Sequence, residues 1–266
     1  MDSEQKNIGK QLKSVVMLVG PGSSTNIVYH YLSQKYPIKH VVMEQKISAR
    51  AFFSQRLKKL SWKKVMGQLL FIVIIVKWLN FSYRTRKTQI LHMNSLDDSY
   101  IDSDKIIHVN SVNSAETISI LQQLQPDVIV VNGTRIISES VLNSVNARFI
   151  NMHMGITPLY RGVHGGYWAL VDKRYDTCGV SIHLVDKGID TGGILYQGNI
   201  QPSLIDSFVT YPLLQLAAGL PLLNQAVTDC MYECVQIQNP PPGTSKLWTH
   251  PTFWEYLRYR ITHGIK

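Results

Sequence analysis

The sequence predicts an α/β fold: a doubly wound, mostly parallel sheet with an inserted helical segment and a C-terminal extension. Two observations carry that expectation. Short β-branched runs alternate with amphipathic segments over residues 14–31 and 106–151, the β-α-β rhythm of a parallel sheet. The runs also end in polar, turn-rich loops, which is how open α/β sheets build sites at strand carboxyl ends.

The elements follow in order. Residues 14–19 are a strand, and Gly20-Pro21-Gly22-Ser23-Ser24-Thr25-Asn26 a tight loop opening a helix that Ser23, Ser24 or Thr25 can cap. The exposed amides of such a loop can hold an anion, so Gly22 and Ser23 are candidate ligands for a substrate phosphate. A dinucleotide is disfavoured, because the third glycine is missing and Glu44, ending the run 40–43, is the nearest acidic residue. Residues 48–88 form the helical insertion. Its run LLFIVIIV (69–76) reaches about 15 residues with its neighbours, short of the ~20 that cross a bilayer. A helix covering the core is expected; the alternative is peripheral membrane contact through 62–79, with Trp62 and Trp78 at the edges.

Residues 92–104 read as loop, 106–109 as strand, and 114–123 as a helix capped by Ser114. A strand at 127–131, a turn at 132–137, a short helix at 138–144 and a strand at 148–151 complete the alternation. Beyond residue 197 an apolar, helix-like stretch, 207–228, is interrupted by Pro212 and Pro221; 240–243 is a breaker, and the aromatic, basic tail 246–266 is a docked helix. The expected division is a catalytic domain over 1–205 and a helical extension over 206–266.

Composition narrows the class. The 266 residues are 45% apolar and 17% charged, which excludes a disordered chain. The formal charge of +9 is concentrated in residues 35–87 and the tail. It reads as a solvated face attracting an anionic substrate, ahead of an anionic membrane or tRNA. Three cysteines without a CxxC give no disulfide framework, and the polar N-terminus has no signal-peptide core; free thiols and a cytoplasmic location are expected.

The chemistry concentrates in residues 149–197. Asn151 and His153 sit two apart on a strand and so face the same way. The run 180–185 then ends in Asp186, Gly188, Asp190 and Gly192. A carboxamide offers N–H donors to an oxyanion, a histidine moves a proton, and a carboxylate orients and charges the imidazole. No nucleophile accompanies Asn151, His153 and Asp190, so direct transfer between two bound substrates is expected. No metal set is assigned, because His183 lies mid-strand without H-x-x-x-H spacing.

Asn151-Met-His153, Pro158-Leu-Tyr-Arg161-Gly162 and Asp186-Lys-Gly-Ile-Asp190-Thr-Gly192 together resemble the signature of the 10-formyltetrahydrofolate-dependent formyltransferases. The likeness is dense over 126–197 and recognisable over 14–31. It implies a Rossmann-like sheet, 10-formyltetrahydrofolate as formyl donor, and Asn151, His153 and Asp190 as the catalytic set, with protonated His153 and Asn151 holding the oxyanion. It places Gly133, Thr134, Arg135, Ile136 and Ile137 against the pterin, closed over by Val185, Asp186 and Gly188. It also carries Arg161 and His164 toward the acceptor.

The acceptor implied is the amine of an anionic small molecule, foremost an amino sugar or sugar nucleotide, with glycinamide ribonucleotide as runner-up. A tRNA acceptor is disfavoured because 206–266 leaves little room for a C-terminal barrel. A formyltetrahydrofolate hydrolase and a non-catalytic membrane-surface accessory protein are the remaining readings.

Overall fold

A computed structural model describes residues 13–48, 54 and 56–266; residues 1–12, 49–53 and 55, which include part of the expected insertion, lie outside the described residues. The first unit runs β1 (Val15–Val19), α1 (Ser23–Ser33) and β2 (Val41–Glu44). A helical pair follows, α2 (Trp62–Ser82) and α3 (Arg84–Met93), and then β3 (Ile106–Val109), α4 (Ala115–Leu124), β4 (Val128–Asn132), α5 (Glu139–Leu142) and β5 (Arg148–His153). The sheet order is β3-β2-β1-β4-β5 with all neighbours parallel. It continues into two antiparallel strands, β6 (Gly179–Leu184) and β7 (Ile194–Asn199). The mostly parallel, doubly wound sheet is the one the sequence predicts.

Strands β1 (VVMLV) and β4 (VIVVN) are buried along their whole length, because helices cover both faces of the sheet. One face buries Met17, Val130 and Met152 with Ile27 and Leu32 of α1; the other buries Leu18, Ile129 and Val131 with Leu121 of α4 and Val141 of α5. Strand order reverses between β1 and β4, so their carboxyl ends part to leave a crevice. The two end turns meet so closely there that a Cβ on Gly20 would lie 2.2 Å from the Gly133 carbonyl oxygen. At α1 the hydroxyls do not cap the helix; Thr25 Oγ1 donates to the Gly20 carbonyl at 2.7 Å.

Two expectations need correction. The stretch around Pro212 and Pro221 is one uninterrupted helix, α6 (Tyr211–Tyr232). Pro212 sits in the first turn, where its missing N–H has no intrahelical partner, and Pro221 is on the exposed side. Leu216, Leu220 and Leu223 hold the helix on the sheet core. A boundary at residue 205 would therefore separate a core helix from its sheet. The insertion likewise continues to Met93, past residue 88, and Ile90 of α3 packs into the main core.

The inner side of α2 forms a third apolar cluster. Phe71, Ile75 and Leu79 pack with Tyr167, Phe208 and Tyr256, and Phe71 sits edge-on to Phe208 at 4.9 Å between ring centroids. Tyr256 belongs to the last helix, α7 (Phe253–His263), which begins with a reciprocal capping box between Thr252 and Glu255. Just before it, β8 (Leu247–Trp248) forms a small parallel ladder with β9 (Arg161–Gly162) of the loop after β5.

Candidate active site

Strand β5 delivers Asn151 and His153 to the carboxyl edge of the sheet, and the loop after β6 returns Asp190 to the same point. His153 Nδ1 lies 3.4 Å from Asp190 Oδ2, and His183 Nε2 lies 3.6 Å from Asp190 Oδ1. The other ring nitrogen of His153 donates to the Tyr160 carbonyl at 2.7 Å, since a carbonyl can only accept. By the same logic His183 Nδ1 donates to the Leu184 carbonyl at 2.7 Å, which leaves Nε2 to accept from Asn151 Nδ2 at 3.2 Å. The Gly162 amide donates to Asp190 Oδ2 at 2.8 Å. Gly162 has φ +95°, and a Cβ there would meet the Trp248 carbonyl at 2.3 Å, so the ladder with β8 needs glycine at this position.

These contacts set the charges. Burial pushes His153 below the ordinary imidazole value, while Asp190 and the Tyr160 carbonyl work against that shift. Burial alone would raise the Asp190 carboxyl, but the neighbouring His183, the nearby His153 and the Gly162 amide outweigh it and hold the group low. Burial thus works against the protonated His153 implied by the sequence signature, while the Asp190 carboxylate beside Nδ1 and the Tyr160 carbonyl at Nε2 favour it.

A cavity of about 510 Å³ opens over this cluster, a size suited to a small molecule. One wall is the loop Gly133, Thr134, Arg135, Ile136 and Ile137, and the opposite wall includes Val185, Asp186 and Gly188. All eight residues assigned to the pterin side line it. Glu44 pins the first wall, accepting from the Arg135 amide at 2.8 Å and pairing with its guanidinium at 2.6 Å. Glu44 is therefore engaged with protein and not with a ribose. In the second wall, Asp186 Oδ1 accepts from the Gly188 amide at 2.9 Å and from Thr191 Oγ1 at 2.7 Å, which shapes the turn.

The acceptor-side assignments divide. His164 lines the cavity, whereas the Arg161 guanidinium turns away to donate to the Ile189 carbonyl at 3.2 Å and braces the loop carrying Asp190. His164 Nε2 is 2.9 Å from His250 Nδ1, and Gln68 of α2 donates to the His250 carbonyl at 2.7 Å. The insertion, the tail and the loop carrying His164 thus meet at one rim. Gly22 and Ser23 stand outside the lining, and Ser24 takes the place in the wall expected of them.

His183 was not singled out from sequence for catalysis, although it contacts both Asn151 and Asp190. Its signal is period two: Ser181 and His183 are the polar positions on one side of an otherwise apolar strand. Antiparallel pairing sets His183 opposite Asn151 and Ser181 opposite His153.

Asn151, His153 and Asp190 thus meet under a two-walled cleft at the carboxyl edge of the α/β sheet. Comparison points the same way: residues 84–208 match the formyl transferase family. Formyl transferases move one-carbon groups. A methionyl-tRNA formyltransferase from Caldanaerobacter subterraneus is 36% identical over 98 residues, covering 36% of this chain and 31% of that protein. The chain thus spans less than half the length of the curated relatives it matches.

Solved structures share the fold over most of the chain. Glycinamide ribonucleotide transformylase 1 from Symbiobacterium toebii superposes with a TM-score of 0.56 at 15% identity, covering 90% of this chain and 97% of that one. An N-formyltransferase from Helicobacter canadensis, in complex with folinic acid and dTDP-3-aminofucose, gives 0.50 at 14% identity, covering 88% and 70%.

Proposed function

We propose that the protein is an N-formyltransferase that moves a formyl group from 10-formyltetrahydrofolate to the amine of an anionic small molecule, foremost an amino sugar or sugar nucleotide. One observation carries the reading. Asn151, His153 and Asp190 converge at the floor of a cavity whose two walls are the segments 133–137 and 185–188. Ile136 and Ile137 on one wall and Val185 on the other give the cavity an apolar lining suited to a flat heteroaromatic ring. The solved relative bound to folinic acid supports a folate in this fold.

The residues divide the work. The incoming amine nitrogen bonds to the formyl carbon, and the bond from that carbon to the folate nitrogen breaks. Asn151 carries a second amide N–H beyond the one given to His183, and donates it to the oxygen on which charge develops. The amine must lose a proton, and the His153–Asp190 pair takes it. Protonated His153 has a partner on both nitrogens, the Tyr160 carbonyl and the Asp190 carboxylate, so the site is built to hold that proton until the leaving nitrogen receives it.

The test is to supply 10-formyltetrahydrofolate with a panel of amines: nucleotide-linked amino sugars, glycinamide ribonucleotide and methionyl-tRNA. Release of tetrahydrofolate is followed in each case. Release that depends on an amino sugar supports the reading. Release with no amine present points to a hydrolase, and turnover that survives His153→Ala rules out the mechanism.

A further inference from the structure

We propose that the outer face of α2 is a docking surface for an anionic lipid bilayer, on which the protein lies as a peripheral, in-plane guest. The inference is independent of the reaction at the cavity. α2 also lies outside the matched family segment, which begins at residue 84.

The inner side of α2 is satisfied by protein, with Phe71 and Leu79 fully buried. The outer side is not. Trp62, Met66, Val73, Ile74, Trp78 and Phe81 form an exposed apolar stripe, with Trp62 66% and Phe81 70% accessible. The helix passes through a π-helical stretch at Phe71–Val76, and these exposed positions alternate with the buried Phe71, Ile75 and Leu79 of the inner side. At 1.5 Å per residue the stripe is about 28 Å long. A tryptophan near each end suits the boundary between headgroups and acyl chains.

Charge identifies the occupant. Residues 45–96 hold eleven of the chain's 27 lysines and arginines and none of its 18 aspartates and glutamates. The rest of the chain, with 16 basic and 18 acidic residues, is slightly acidic, so the whole positive excess belongs to the segment that carries the stripe. Lys63, Lys77 and Arg84 are exposed beside it, and the Arg260 guanidinium lies 5.3 Å from the Trp78 ring centroid. Apolar bodies with cations around them are the composition of an interfacial helix.

Two competing occupants fit less well. Nucleic acid is held by cations along a groove with isolated aromatic platforms, and a continuous aliphatic stripe gives phosphates nothing. A second copy of this chain would set one basic surface against another. The helix is apolar enough over Trp62–Ser82 to cross a bilayer, but crossing would strip Phe71, Ile75 and Leu79 from Phe208 and Tyr256. Lying in the plane keeps that packing and immerses only the stripe.

The experiment is sedimentation of the full chain with phosphatidylcholine vesicles, with and without phosphatidylglycerol, at low and high salt. Expected is pelleting with phosphatidylglycerol vesicles, lost at high salt or with phosphatidylcholine alone, together with a blue shift in tryptophan emission. Lys63→Gln and Lys77→Gln, changes at exposed positions, should each weaken binding roughly fivefold. Trp62→Ser with Phe81→Ser should abolish it while the circular dichroism spectrum is retained. Pelleting that ignores lipid charge, no pelleting at all, RNA that binds in place of lipid, or a stable dimer by light scattering that protects the stripe would each overturn the proposal.

Discussion

At the residue scale, the proposed reaction asks Asn151, His153 and Asp190, brought together from a strand and a loop, to share one proton and one developing charge. If Asn151 donates to the developing oxyanion, Asn151→Ala should lower kcat about 10²–10³-fold in the folate-release assay, with the fold intact by circular dichroism. The Asp190 carboxylate raises the proton affinity that burial takes from His153. Asp190→Asn removes that support, so the His153 imidazole signal should titrate at still lower pH in an NMR series; an unchanged or raised midpoint would contradict the pairing. Much of this site was legible in the sequence, because Asn151 and His153 share a face by strand geometry alone. Their partners were less so. His183 needed the β5–β6 register, and the use of Arg161 on the Ile189 carbonyl depends on a loop shape that no local pattern encodes.

At the element scale, most of the parallel strands followed from β-branched runs and turn chemistry, whereas strand order and the last strand, β7, did not, and the helices departed where tertiary packing overrode local rules. Pro221 reads as a breaker, but its ring faces outward and the leucines beneath it bury against the sheet. The insertion was readable as helix and not as a wedge with two unlike faces, since which side meets Tyr256 and Phe208 depends on a tail nearly two hundred residues away. That inner face can be tested directly. Phe71→Ala should destabilise the protein by about 3–5 kcal/mol in a urea titration, the cost of emptying an aromatic core position. A change below about 0.5 kcal/mol, the range of ordinary surface substitutions, would mean that α2 is not docked as described.

At the scale of the whole molecule, three buried histidines tie stability to pH. Burial holds His164 well below 6.5, with His250 and then Arg56 adding to the effect, and His250 is pushed down to about 4, again chiefly by burial. His153 shifts in the same direction. A histidine lowered by folding binds its proton more readily in the unfolded chain, so stability is full above the unfolded value near 6.5 and falls as the pH drops toward the folded values. Asp190, lowered by folding, adds a loss of the same sign at more acid pH. Urea midpoints should therefore decline steadily from pH 7 to pH 4, and His250→Gln should flatten the decline. A midpoint that rises on acidification would contradict the buried, neutral pair.

The ladder between Gly162 and Trp248 gives the protein a built-in gauge. The Gly162 amide hydrogen ends on the same Asp190 oxygen that faces His153. Its rate of exchange with deuterium therefore reports the hold of Asp190, while the amides on either side, Arg161 to the Lys246 carbonyl and Val163 to the Trp248 carbonyl, report the tail strand. A mass-spectrometric peptide spanning residues 161–163 would read out both contacts with no substrate added and no reaction run.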